Sequence, residues 1–279
     1  MKNNIKLMFV AFMLLLGVNN FAQNKKFHIY LCIGQSNMEG FAKFETQDTV
    51  SNKRFKVLQA IDCDNLNRKK GKWYTAVPPL NRCNSGLSPA DYFGKEMIAN
   101  LPKDVTIGVI NVAVGGCKIE LFDKDNYQEY LSTAPDWLKS FAAPYDGNPY
   151  GRLVEMAKIA QKDGVIKGIL LHQGESNTND TLWTKKVKVV YDNLLKDLKL
   201  NAATTPLLAG EVVHADQGGV CASMNNIIGT LPQTIPNSHI ISSSGCPDGD
   251  DNLHFSAEGY RMLGKRYAIK MLEILNKKK

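Results

Sequence analysis

Five short segments of this chain are apolar almost throughout, and stretches with helical spacing separate them. These segments lie at about 27–33, 105–112, 165–172, 206–213 and 239–243. A strand that is apolar on both faces is typical of a parallel sheet covered by helices on both sides. The alternation therefore predicts an α/β fold, a three-layer α/β/α sandwich with a mostly parallel central sheet.

The helical segments complete this predicted fold. One helix is expected to begin near Ser88, because serine is a good N-cap and Pro89 suits the first turn. Further helices are predicted at about 151–161, 181–197 and 256–276. The polar, aromatic stretch 120–150 is interpreted as an inserted surface loop. No internal repeat or linker interrupts the pattern, so we predict one domain over residues 23–279.

The first 22 residues have the composition of a secretory signal peptide. An apolar run extends from Leu7 to Val18, lysines flank its start, and Ala22 is a small residue suited to cleavage. The run is too short to cross a bilayer, and no cysteine near the cut suggests a lipid anchor. We therefore predict a signal peptide at 1–22 and a secreted or periplasmic protein without a membrane anchor.

The charge of the chain argues against a nucleic-acid partner. Its formal net charge of +7 falls to +5 when Lys2 and Lys6 leave with the signal peptide. Three of the remaining lysines form the carboxyl-terminal tail, and no basic stripe is interleaved with aromatic residues.

Six cysteines remain after the predicted processing, an even number that permits disulfides in an oxidising compartment. Cys221 and Cys246 lie in glycine- and asparagine-rich sequence and are the better candidates for a disulfide, although sequence alone leaves the pairing open. Cys32 lies within a predicted strand and is expected to be a small buried hydrophobic residue. The histidines are scattered and no CxxC spacing occurs, so no metal site is predicted.

Small and polar residues follow several of the predicted strands, where ligands bind in open α/β sheets. The segments are 34–38, 111–116, 172–177 and 251–254. Singly, each has an ordinary structural explanation: Ser36 as a helix cap, Gly115 and Gly116 as a turn, and Gln173 with Glu175 as a solvated loop.

The last segment changes this interpretation. His254 follows Asp251 by three residues, so the carboxylate can accept the Nδ1 proton and leave Nε2 for a serine hydroxyl. Asp248 and Asp250 are competing carboxylates nearby, and the spacing alone favours Asp251. Ser36, at a strand end, is the candidate nucleophile. The Ser36 backbone N–H, a backbone N–H of Gly115 or Gly116, and the side-chain amide of Gln173 are candidate donors for an oxyanion hole.

These four segments resemble the SGNH (GDSL-like) hydrolase superfamily, in the branch of sialate O-acetylesterases and carbohydrate esterase family 6 acetylxylan esterases. The resemblance implies a flavodoxin-like fold, a cofactor-free serine mechanism and removal of acetyl groups from sugar hydroxyls. It implies Ser36 as nucleophile, His254 as base and Asp251 as acid, with Ser36, Gly116 and Gln173 forming the oxyanion hole. Glu175 is a second candidate acid.

The substrate that the resemblance implies is an acetylated carbohydrate: acetylxylan or a related glycan, or O-acetylated sialic acid. Four aromatic residues of 120–150 are candidate sugar contacts, namely Phe122, Trp137, Tyr145 and Tyr150. Two alternatives stay open: a short-chain ester hydrolase of other specificity on the same fold, and a non-catalytic carbohydrate-binding relative. Cys117 is an alternative nucleophile.

Overall fold

A central sheet forms the middle layer of the protein. The computed structural model describes residues 23–277, in which the strands form one seven-stranded sheet of order β3-β2-β4-β1-β5-β6-β7. The strands are Asn24–Gly34 (β1), Phe55–Leu58 (β2), Trp73–Thr75 (β3), Thr106–Ala113 (β4), Gly164–His172 (β5), Leu207–Gly210 (β6) and Ser238–Ile241 (β7). Among the described strands, only the edge strand β3 is antiparallel to its neighbour. The predicted, mostly parallel sheet is confirmed.

Helices connect these strands. They are Ser36–Glu39 (α1), Pro89–Asn100 (α2), Tyr127–Ser132 (α3), Asp136–Ala142 (α4), Pro149–Ala160 (α5), Trp183–Asp197 (α6), Met224–Ile228 (α7), Leu231–Thr234 (α8) and Ala257–Asn276 (α9). Two of these helices begin where they were predicted to begin. Ser88 is the N-cap residue of α2, and its N–H donates to Asp91. At α9, the Ser256 hydroxyl accepts the Gly259 N–H.

Successive residues of β1 point to opposite faces of the sheet, which gives the molecule two cores. Ile29 and Leu31 pack with residues of α5 and α6. Tyr30 and Cys32 pack on the other face with α2 and α9. The three-layer α/β/α arrangement and the burial of Cys32 are therefore confirmed.

The stretch 120–150 is not the surface loop that its polar composition predicts. It folds into α3, α4 and short 3-10 turns, and Phe122, Tyr145 and Tyr150 are buried in the core on the α5 and α6 side. The helices are six and seven residues long, too short for their spacing to stand out in a sequence.

The predicted disulfide is wrong. Cys63 and Cys83 are bonded, whereas Cys221 and Cys246 are free. The latter two pack against the cores on opposite faces of the sheet, so the sheet separates them. Loop-like sequence around a cysteine indicates nothing about the distance to its partner.

The predicted signal peptide at 1–22 lies outside the described residues. Within residues 23–277, no helix has both the length and the apolar character needed to cross a bilayer.

Candidate active site

The candidate site lies at the carboxyl end of β1. This strand pairs with β4 on one side and β5 on the other, so the chain order switches here, as at ligand sites of open α/β sheets. Gly34 ends the strand with a φ of +149°, and a Cβ there would lie 1.9 Å from the His172 carbonyl oxygen. Glycine thus permits the close approach of β1 and β5, and Ser36 opens α1 two residues later.

Hydrogen bonds join Ser36, His254 and Asp251. His254 Nε2 lies 2.8 Å from Ser36 Oγ, and its Nδ1 lies 2.6 Å from Asp251 Oδ2. The other carboxylate oxygen accepts the N–H groups of Leu253 at 2.9 Å and His254 at 2.7 Å. With Nδ1 donating to the carboxylate, Nε2 is free to accept the serine proton.

Asp251 on one side and the Phe41 ring on the other hold the imidazole of His254 in this position. Burial alone would raise the pKa of Asp251, but hydrogen bonds from His254 and the backbone outweigh it, and the pKa lies below its usual value. On the other side, the Phe41 ring stacks on the imidazole with centroids 3.7 Å apart. The nearby Asp248 instead accepts the Asn252 N–H. Asp251 is therefore the carboxylate in contact with His254.

Glu175, the second candidate acid, is not brought into hydrogen-bond contact with His254. It is buried, accepts a hydrogen bond from Asn37 Nδ2, and lies 3.8 Å from His172 Nε2. Burial raises its pKa. Burial also lowers the pKa of His172 to about 3, so this ring is neutral.

Asn37 ties the nucleophile segment to the histidine loop. Its Oδ1 accepts the Tyr260 hydroxyl at 2.7 Å and the Phe255 N–H at 3.3 Å. Its Nδ2 donates to the Leu253 carbonyl at 3.0 Å as well as to Glu175. The residue after Ser36 therefore spans the distance between two parts of the site that are more than two hundred positions apart in sequence.

Two of the predicted oxyanion donors face the cleft. Within the described residues, the N–H groups of Ser36 and Gly116 form no backbone hydrogen bond, and both residues line the cleft. The Gly115 N–H is already used, because it donates to Glu39 Oε2 at 2.7 Å.

The third predicted donor, Gln173, is not at the cleft. Its side chain is fully buried, and its Nε2 donates to Asn177 Oδ1 at 2.7 Å, Gln35 Oε1 at 3.2 Å and the Cys117 carbonyl at 3.3 Å. Its Oε1 accepts the Trp183 indole N–H. The prediction could not anticipate this, because Gln35 and Cys117 lie far from Gln173 in the sequence and the folded chain sets the direction of the amide.

The cleft beside Ser36 has a volume of about 530 Å³. Trp137, Phe141 and Phe41 form its aromatic walls, and Trp137 is 51% exposed and Phe41 58% exposed. Arg82 lies over the Phe141 ring and is paired with the buried Glu39. Of the three aromatic residues, only Trp137 was predicted from sequence as a sugar contact. Glu39 and Phe41 lie directly after the serine segment, a proximity that could have indicated them.

The other predicted sugar contacts are wrong. Phe122, Tyr145 and Tyr150 are at most 3% exposed. The two tyrosine hydroxyls are hydrogen-bonded inside the protein, to Asn81 and Asp197. They belong to the core and are not among the residues that line the cleft.

Cys117 lacks the surroundings of a nucleophile. The thiol is fully buried, and burial raises its pKa, so it stays protonated. Among residues 23–277, no three side chains of the metal-binding types cluster in a way that could hold an ion.

Known proteins that resemble this chain identify its family. Residues 26–273 match the family described as carbohydrate esterase, sialic acid-specific acetylesterase. A probable carbohydrate esterase of Arabidopsis thaliana is 25% identical over 183 residues, which cover 64% of this chain and 61% of that relative. The alignment thus spans less than two thirds of the relative's length.

Solved structures share the fold. An Arabidopsis thaliana protein has a TM-score of 0.69 at 22% identity, covering 88% of this chain and 98% of that one. NanS also has a TM-score of 0.69, at 14% identity, covering 91% and 99%. A carbohydrate acetylesterase from Xanthomonas citri has a TM-score of 0.58 at 18% identity, covering 86% of this chain and 54% of that one.

The site contains a serine, a histidine and an aspartate joined by hydrogen bonds at the switch point of the sheet. Ester hydrolases of α/β folds have this arrangement. The chain belongs to the carbohydrate esterase, sialic acid-specific acetylesterase family. The resemblance noted from its motifs is thereby confirmed at the level of the sialate O-acetylesterase branch.

Proposed function

We propose that this protein is an exported serine esterase that removes acetyl groups from sugar hydroxyls. The observation that supports it most strongly is the hydrogen-bonded series Ser36, His254 and Asp251 at the mouth of the cleft.

Export rests on the signal-peptide composition of residues 1–22. Sequencing the amino terminus of the protein recovered from the culture or periplasm would test it, with a start after Ala22 expected.

The chemistry follows from the geometry. His254 Nε2 takes the Ser36 proton as Oγ attacks the acetyl carbonyl carbon, and backbone N–H groups of Ser36 and Gly116 stabilise the negative oxygen. The C–O bond to the sugar breaks, and His254 returns the proton to the leaving alcohol oxygen. Water, deprotonated by the same imidazole, then hydrolyses the acetyl-serine to acetate and free Ser36.

The cleft walls favour a neutral acetylated glycan such as acetylxylan over an acidic sugar. Trp137, Phe141 and Phe41 offer aromatic faces on which sugar rings can stack. The guanidinium of Arg82 is paired with Glu39, so it adds no net positive charge to attract a carboxylate.

Acetate release from acetylated xylan and from O-acetylated sialic acid, measured side by side, tests this choice. We expect the higher kcat/KM on xylan, and a preference for the sialic acid would reverse the order of substrates. A Ser36→Ala variant should release no acetate from either substrate while keeping the circular dichroism spectrum of the wild type. Retained activity would contradict the assignment of the nucleophile.

The two alternative functions make different predictions. An esterase for long acyl chains would hydrolyse long p-nitrophenyl esters as fast as the acetate, whereas we expect a steep fall after acetate. A non-catalytic sugar-binding protein would bind glycans without releasing acetate. The intact hydrogen bonds of Ser36 and His254 argue against the latter.

A further inference from the structure

Ser36 and Gly116 offer two oxyanion donors at the cleft, but Gln173, the third predicted donor, is buried in the interior. Removing a single donor typically lowers kcat by about 10²- to 10³-fold, so the identity of the third donor matters for the rate. The residue before the nucleophile, Gln35, lines the cleft although its side chain is almost fully buried. The question is which end of its amide faces the substrate.

The orientation of Gln173 is fixed from two sides. The Trp183 indole N–H can only donate, so the atom of Gln173 that faces it must be Oε1. On the other side, Asn177 Oδ1 already accepts the Ile119 backbone N–H at 2.9 Å, so it presents an acceptor to Gln173. Nε2 of Gln173 therefore points towards Asn177 and Gln35.

The orientation of the Gln35 amide is fixed in the same way, by its hydrogen-bond partners. Its Oε1 accepts Nε2 of Gln173 and, independently, the backbone N–H of Ser176, both at 3.2 Å. With the carbonyl end held by two donors, the NH₂ group is turned the other way. Within residues 23–277 this NH₂ group donates no hydrogen bond to the protein. It is also absent from the buried polar atoms that lack a partner, so it is open to solvent. It therefore faces the open side, which is the cleft.

Ser176 holds two of the donors in register. Its N–H binds Gln35, and its hydroxyl donates to the Gly116 carbonyl at 2.9 Å. Ser176 thus joins Gln35 to Gly116, all three of Gln35, Ser36 and Gly116 line the cleft, and Gln35 is adjacent to the nucleophile.

We propose that Gln35 Nε2 is the third donor to the oxyanion, and that Gln173, itself held by Trp183 and Asn177, is a positioning residue that orients Gln35 by donating to its Oε1. This inference rests on the proposed function, because an oxyanion forms only if Ser36 attacks an ester. No bond of Gln35 is made or broken: it donates hydrogen bonds that strengthen as the carbonyl oxygen becomes negative.

Two substitutions of Gln35 separate the donor from its surroundings. Gln35→Glu keeps an oxygen for Gln173 and Ser176 but has no N–H to donate, and Gln35→Leu removes the amide without adding charge. We expect both to lower kcat on p-nitrophenyl acetate by about 10²- to 10³-fold, with KM changed by less than about threefold. A fall in Gln35→Glu alone would indicate charge repulsion and would overturn the proposal, as would full activity of both.

Gln173→Leu provides the matched comparison. Ser176 still holds Gln35 in this variant, so we expect a smaller fall in kcat than in Gln35→Leu, again at nearly constant KM. If kcat fell in Gln173→Leu by about 10²- to 10³-fold while the Gln35 variants stayed active, the donor would be Gln173 and not Gln35. A lowered melting temperature with unchanged kcat would reduce Gln173 to a purely structural residue and overturn its positioning role.

The wild-type protein gives a test that does not depend on the folding of any variant. In a crystal structure of the tetrahedral adduct between Ser36 and phenylboronic acid, Gln35 Nε2 should lie about 2.7–3.1 Å from the boronate oxygen that also accepts from the Gly116 N–H. A separation beyond about 4 Å would overturn the inference. Loss of acetate release in Ser36→Ala with active Gln35 variants would refute only this inference, whereas an active Ser36→Ala would refute the proposed function itself.

Discussion

Two carboxylates lie near His254, and their surroundings give them different properties. Asp251 is partly open to solvent, binds Nδ1 and has a lowered pKa. Glu175 is buried, binds Asn37 and has a raised pKa. Only the first is both ionised and in contact with the imidazole, which is what stabilising an imidazolium requires.

Amide substitutions at these two positions provide a matched pair. Asp251→Asn keeps the size of the side chain but removes the charge and favours the wrong histidine tautomer, so kcat should fall by about 10⁴-fold. Glu175→Gln keeps the acceptor for Asn37, and kcat should stay within about tenfold of the wild type. The measurement is kcat for p-nitrophenyl acetate at neutral pH. The reverse order of the two losses would make Glu175 the acid of the site.

At the scale of single residues, spacing and motifs predicted Ser36, Asp251 and His254 as one group, and the structure brings them together. Their catalytic roles stay predictions until the variants are measured. The direction of the Gln173 amide was beyond reach, because it depends on Trp183 and Asn177, whose positions are set by the folded chain. Which aromatic residues reach the cleft depends in the same way on tertiary packing.

At the scale of elements, the segment between β2 and α2 has little regular structure and is closed by the Cys63–Cys83 disulfide. Besides β3, it contains mainly turns. It also carries Arg82 to the cleft next to one of the bonded cysteines. A covalent link therefore restrains the part of the chain that positions a cleft residue.

Removing this disulfide should lower the free energy of unfolding. The two cysteines are 20 positions apart, and a closed loop of that length stabilises a protein by about 3 kcal/mol, largely by restricting the unfolded chain. We expect a loss of this size in a Cys63→Ala, Cys83→Ala double variant, measured by urea unfolding of the oxidised protein. Cys221→Ala, at a free cysteine, is the control and should cost much less. Equal stability of the double variant and the wild type would contradict the expectation.

The longer elements were predictable because their patterns are long and both faces of each strand are apolar. The predicted helices at 151–161 and 256–276 correspond closely to Pro149–Ala160 and Ala257–Asn276. The edge strand β3 and the short helices α3 and α4 were not predicted, because three to seven residues show too little periodicity. Their conformation comes from packing against the rest of the molecule.

For the whole folded molecule, the buried titratable pair Glu175 and His172 makes stability depend on pH. Burial raises the pKa of the acid and lowers that of the base, so both are held towards their neutral forms. For Glu175, the folded protein binds the proton more tightly than the unfolded chain does. Its contribution to stability is therefore complete below the pKa of the unfolded chain and is lost as the pH rises through the folded pKa.

Glu175→Gln should remove this dependence. The neutral amide carries no charge to bury, so the variant should be more stable than the wild type at alkaline pH, and the difference should shrink as the pH falls towards 4, near the usual pKa of glutamate. Urea unfolding from pH 4 to pH 8 measures it. A difference that grows towards acid pH would show that the folded pKa of Glu175 is lowered and not raised.

If Ser36 is the residue that becomes acylated, a fluorophosphonate should modify it, and peptide mass spectrometry of the treated protein detects the modified residue. Such a reagent phosphonylates an activated serine and leaves ordinary serines unmodified. We predict one modified site, Ser36, together with loss of acetate release, and much slower labelling in Asp251→Asn. Modification at another residue with loss of activity, or full inactivation with Ser36 unmodified, would show that Ser36 is not the nucleophile.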